Sequence, residues 1–192
     1  MKRPLRTALP AAVLLLGGSL AAPAQMSGGG MGQGMHSHGA GGMMMHDEAT
    51  MPGLRGLDAT PEESAEMMVM FHHFTEITRT VETLPDGIRT VTGSENPMVM
   101  AALASHVAGM IGRVEEGRDP QVFIQSPTLD IFFERGDRLR TEIAMTDAGI
   151  EVVQTSEDPE LVAALHIHAA EVTAMADRGM AAVHEMMMAR GQ

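Results

Sequence analysis

Seven methionines and three histidines crowd one glycine-rich stretch near the start of the chain: Met26, Met31, Met35, Met43, Met44, Met45 and Met51, with His36, His38 and His46. Thioether sulfur is a soft, uncharged donor that selects Cu(I) and Ag(I), whereas imidazole suits Cu(II), nickel and zinc. His36-Ser37-His38 can chelate Cu(II), and Met43-Met44-Met45-His46 offers a mixed set on a chain able to wrap around an ion. Segments that cannot pack are normally poor in apolar side chains, so methionine here needs a purpose other than burial. The competing reading is a low-complexity linker whose methionines do no chemistry. Ordering such a segment costs backbone entropy, so its hold on a metal is expected to be weak and fast-exchanging.

The same donors return further along. Met180, His184 and Met188 follow at i, i+4 and i+8, one face of a helix, with Met187 beside them. An amphipathic stripe of core methionines would look the same. Leu103, His106, Val107, Met110 and Val114 form a second stripe, and Leu161, Leu165, His168, Val172 and Met175 form a matching one. His168 stands where His106 stands, so helices related by a twofold axis would bring two imidazoles together. His72 and His73 are further candidates, but their counterparts Glu134 and Arg135 cannot reproduce a soft site. An internal metal site is therefore expected to be asymmetric: His106 and Met110, joined by His73 and His168. Against it stands the reading of these histidines as ordinary hydrogen-bonded core residues. His166, off the stripe, is expected at the surface.

Composition narrows the function classes. The 192 residues carry 13 Lys+Arg against 25 Asp+Glu, a formal charge of −12, with no Cys, Trp or Tyr and 20 Met. Without cysteine there are no disulfides, thiolate metal sites or c-type haem attachment. The negative charge and five Phe as the whole aromatic complement argue against nucleic acid. No P-loop, dinucleotide fingerprint, G-x-S-x-G or H-E-x-x-H occurs. The carboxylates Glu62, Glu63, Glu66, Glu95, Glu157, Asp158 and Glu160 open helices, where the helix dipole favours them. No catalytic role is assigned, and the chain is read as a binding protein rather than an enzyme.

The elements that must position these donors follow a simple plan. Residues 1–24 read as a signal peptide: Lys2, Arg3 and Arg6, an apolar Leu9–Leu20 run, and Ala22-Pro23-Ala24 for cleavage. Export to the periplasm follows, with no membrane anchor after cleavage. Residues 25–59 read as a disordered Gly/Met/His-rich tail. From 60 to 192 the sequence aligns with itself at an offset of 62 residues: Ser94-Glu95-Asn96-Pro97 with Ser156-Glu157-Asp158-Pro159, Ala101-Ala102-Leu103 with Ala163-Ala164-Leu165, His106 with His168, and Gly117 with Gly179. Repeat 1 covers about 61–117 and repeat 2 about 127–189. Each reads as helix, hairpin, helix. Helices are predicted from Pro61 to Ile77, Pro97 to Glu116, Ser126 to Asp137 and Pro159 to Ala189. Strands are predicted at Thr78–Thr83, Ile88–Thr92, Arg140–Met145 and Ile150–Gln154, around turns at Pro85-Asp86-Gly87 and Asp147-Ala148-Gly149. The predicted fold is α+β: internally duplicated units sharing a four-stranded antiparallel sheet with helices packed on one face.

The segments ITRTVETLPDGIRTVTGSENP with AALASHV, and GIEVVQTSEDP with AALHIHA, resemble an uncharacterised family of small exported bacterial proteins. That resemblance spans roughly residues 65 to 182 and implies export and duplication. The Met/His tail separately resembles the methionine-rich segments of periplasmic copper-resistance and copper-chaperone proteins, which implies copper as cargo. The chain lacks the Trp of one such chaperone family and the cysteine of a cupredoxin site. The expected function is sequestration or delivery of Cu(I), with silver as the second ion, to a periplasmic copper-handling partner. The alternatives are a non-catalytic interaction module, or homodimer, with the tail as tether, and non-covalent haem binding by His106, Met110 or His168.

Overall fold

The computed structural model describes residues 51–190. The expected signal peptide and most of the expected Met/His tail, including Met35, His36, His38, Met43, Met44, Met45 and His46, lie outside the described residues. What is described is an α+β fold of five α-helices and one four-stranded antiparallel sheet. In chain order the elements are α1 (Pro61–His72), β1 (Thr78–Leu84), β2 (Gly87–Gly93), α2 (Pro97–Glu115), α3 (Asp130–Glu134), β3 (Arg140–Thr146), β4 (Gly149–Thr155), α4 (Pro159–Arg178) and α5 (Met180–Arg190).

Local chemistry starts each long helix. Thr60 and Glu63 make a reciprocal capping box ahead of α1. Asn96 and Asp158 accept from backbone N–H groups at the starts of α2 and α4, each ahead of a proline in the first turn. Gly117, at φ 63°, closes α2. Two predicted helices are shorter than expected. The first ends at His72 and passes through a 3-10 turn, Phe74–Glu76, because Thr75, Ile77 and Thr78 favour the extended chain that follows. The Ser126–Asp137 helix is instead two 3-10 turns flanking the short α3. The last helix breaks in two at Gly179.

Strand order is β1-β2-β4-β3, so each hairpin contributes one inner and one edge strand. The register places Arg79, Thr92, Ile150 and Met145 in one row across the sheet, and Val81, Thr90, Val152 and Ile143 in the next, all on one face. That face carries the core. Ile88 packs with Phe132 and with Leu161, Leu165 and Ala169 of α4. Ile150 packs with Val99 and Leu103 of α2, over which Val69 and Met70 of α1 close. The opposite face is polar: Arg89 stands between Glu82 and Glu151. α2 is apolar and long enough to cross a membrane by length and composition, but here Val99 and Leu103 are spent on the sheet.

One buried cation ties the helices together. Arg113 of α2 is 3% exposed. Its guanidinium forks onto Glu63 at 2.5 and 2.8 Å and reaches Asp58 Oδ2 at 2.8 Å and the Asp58 carbonyl at 2.7 Å. These bonds hold the Glu63 carboxyl below its ordinary range, against the opposing effect of burial.

Candidate metal centre

The break at Gly179 decides where the C-terminal methionines go. Gly179 sits at φ 56°, ψ −137°, a conformation only glycine adopts cheaply. A Cβ there would lie 2.8 Å from the Phe74 ring. The chain therefore restarts as α5 on a new axis, anchored by the buried Ala182 and Val183. Met180, His184 and Met187, at i, i+4 and i+7, then face a cavity of about 390 Å³. Its far wall is Met51, Gly53 and Ile124.

That wall is tightly held. Met51 is 7% exposed and adopts a left-handed conformation at φ 37°, uncommon for a side-chain-bearing residue. Leu54 N–H donates to its carbonyl, starting the 3-10 turn Pro52–Leu54. The segment then pairs with residues 121–124 through Ile124 N–H to Gly53 O and Phe123 N–H to Arg55 O.

Three methionines and one histidine thus line the cavity, with His184 and Met187 themselves exposed. Glu185 also borders it, but its carboxylate is engaged by Arg178. No group of three or more His, Cys, Asp or Glu converges among the described residues. Of the expected Met180, His184 and Met188, the first two line the cavity; Met188, 59% exposed, does not line it, whereas Met187, 39% exposed, does.

The interior histidines do come together. His168 of α4 feels both His106 of α2 and the guanidinium of Arg79 on β1. Burial, then Arg79, then His106 push the His168 imidazole down to about 4. Burial also lowers His106, partly offset by Glu66 and Glu63. Phe132 stands edge-on to His168, with centroids 5.7 Å apart. His106 Nδ1 and Arg79 Nε are buried with no hydrogen-bond partner. Arg79 Nη1 donates to Thr92 Oγ1 at 2.6 Å, and burial lowers its guanidinium to about 10. Both imidazoles are neutral, as metal ligands must be, yet a positive charge beside the pair opposes any bound cation. Met110 lies one turn beyond His106, half-buried.

His73 is occupied elsewhere, its Nδ1 2.7 Å from Glu76 Oε1 at the end of α1. His166 is not a surface residue as expected. It is half-buried, and its Nε2 lies 2.9 Å from the Gly87 carbonyl and 3.2 Å from that of Leu84, holding α4 against the β1–β2 turn. Sequence reasoning missed Met51 as a wall residue and Arg79 as a buried cation. The first had a signal, since Met51 is where the Met-rich stretch meets regular structure. The second had none, because an arginine on an edge strand ordinarily points to water.

Comparison with known proteins gives no relative: no family model, no curated protein and no solved structure matches the chain.

Proposed function

We propose that this is an exported binding protein for soft monovalent metal, Cu(I) first and Ag(I) second, that sequesters the ion or passes it to a periplasmic copper-handling partner. One observation carries the reading: Met51, Met180, His184 and Met187 converge on one cavity of about 390 Å³. Three thioethers and an imidazole suit Cu(I) better than a divalent ion, because all four donors are uncharged and three are soft. Upstream of Met51 the sequence offers the same donors again, at Met43, Met44, Met45 and His46. The two sets make a capture and storage pair, with binding rather than catalysis as the task.

The internal duplication belongs to the same proposal. β1 and β3 start at Thr78 and Arg140, β2 and β4 at Gly87 and Gly149, and α2 and α4 at Pro97 and Pro159, an offset of 62 residues each time. The two halves differ after the repeat: α5 follows Gly179, whereas the chain after Gly117 runs on as the loop that supplies Ile124 to the cavity.

The test is a Cu(I) competition titration against a chromophoric chelator, read without protein background because the chain has no Trp or Tyr. In the full chain, Met180→Leu with Met187→Leu should remove one tight equivalent and leave the weaker tail sites. Retention of every equivalent by the double variant would overturn the cavity as the binding site.

A further inference from the structure

β3 is an edge strand with nothing paired to its outer side among the described residues. Of the devices that protect an edge it has only charge, in the opposite-signed Arg140 and Glu142. Its register with β4 runs unbroken from Arg140 to Thr146, with no proline, lysine or bulge. Ile143 and Met145 point to the helix-covered face, yet they are 47% and 65% exposed, while their row neighbours Val152 and Ile150 are covered. On the other face the charges of the inner sheet are matched, Arg89 lying 3.9 Å from Glu82 and 3.4 Å from Glu151. Arg140 and Glu142 of β3 share that face and form no ion pair among the described residues.

Hydrogen-bond phase says how a partner must sit. The hairpin closes through the two-residue turn Asp147-Ala148, with Thr146 opposite Gly149. The closing pair of such a turn exchanges both its hydrogen bonds. Alternation along the strand then turns the N–H and C=O of Thr141, Ile143 and Met145 outward. An identical strand laid antiparallel about a twofold axis through Thr141 bonds to Thr141 and, through the Leu139 carbonyl, to the Ile143 N–H; the Leu139 N–H is already given to the Gly136 carbonyl, and Met145 falls opposite Asp137 in the 3-10 turn Gly136–Arg138. The pairing sets Ile143 opposite the extended Leu139 of the second copy, and Arg140 opposite Glu142 twice over. The two charge pairs fall at non-hydrogen-bonded positions, where opposed Cα atoms approach to about 4.5 Å and side chains interact best.

We propose that β3 pairs with β3 of a second copy of this chain, giving a twofold dimer with one continuous eight-stranded sheet. The self-complementary Arg140 and Glu142, without an ion pair among the described residues, select a second copy over an unrelated partner. This inference stands independently of the metal reading.

Sedimentation equilibrium of the mature protein across a concentration series tests it. The wild type should associate to a dimer and no further. Arg140→Glu, which sets like charges opposite each other twice, should weaken dimerisation about tenfold or more. The swap Arg140→Glu with Glu142→Arg should restore it, and Ile143→Lys should abolish it. Circular dichroism reports whether each variant remains folded. A wild type monomeric throughout the series, a dimer indifferent to Arg140→Glu, or a charge swap that fails to rescue would each overturn the proposal.

Discussion

Among single residues, the cavity methionines separate metal chemistry from packing. Leucine nearly matches methionine in volume, so such exchanges usually cost less than about 1.5 kcal/mol. Met180→Leu and Met187→Leu should therefore leave the thermal midpoint almost unchanged while lowering Cu(I) affinity about tenfold or more each, as sulfur donors are lost. Met188→Leu, at an exposed position, should change neither. The measurement is competition titration beside calorimetry. The buried His168 makes an opposite kind of prediction, one about stability. Its imidazole titrates near 4 in the fold, from an ordinary value of 6.5. Between those values the unfolded chain binds a proton that the folded protein refuses, so stability falls as pH drops from about 6.5 to about 4. The loss is on the order of 3 kcal/mol. The lowered His106 acts in the same direction. Replacing His168 by Leu should flatten that slope in urea unfolding curves at pH 6.5 and 4.5. The lowered carboxyl of Glu63 adds to this only at the acid end of the window, its contribution being lost as pH falls below the ordinary value of 4.5.

Among elements, the junctions matter more than the elements themselves. Gly179→Ala places a methyl against Phe74 at a glycine-only conformation. It should cost about 1–3 kcal/mol and, by shifting α5, lower Cu(I) affinity. Gly117→Ala is the control. Its φ is also positive, at 63°, but its added Cβ would meet only the Phe133 carbonyl, at 3.3 Å, remote from the cavity wall. It should lower stability without touching metal binding. The second junction is the Arg113 fork. Because Arg113 is 3% exposed and Glu63 closes it, Glu63→Ala leaves a buried cation short of its main partner. Urea unfolding should show a loss of about 3 kcal/mol. The same change also removes the capping box of α1. Thr60→Ala, which removes only the cap, should cost about 1 kcal/mol, and the difference between the variants isolates the fork.

For the whole molecule, periodicity and caps carried most of the plan. Asn96-Pro97 and Asp158-Pro159 announced two long helices. The β-branched runs around Pro85-Asp86 and Asp147-Ala148 announced two hairpins, and each strand came within a residue or two of its observed ends. Those signals are local: capping hydrogen bonds, turn preferences and alternation act over a few residues and are written in them. Strand order was not legible, because whether β2 meets β4 or β1 meets β3 depends on which faces the helices bury. The donor types were legible too, since methionine among glycines cannot be accounted for by packing. Their grouping was not. Met180, His184 and Met188 share a face in an unbroken helix, but the chain turns at Gly179, where Phe74, about a hundred residues earlier, occupies the space a side chain would need. Met51 joins the cavity because pairing with residues 121–124 holds it there. The sequence alone determined which soft donors are present and which stretches are helix or strand, because those are properties of side chains and their near neighbours. Only the tertiary structure decided which methionines line one cavity and which imidazoles are pushed below their ordinary pKa, because burial and proximity arise from contacts between distant parts of the chain.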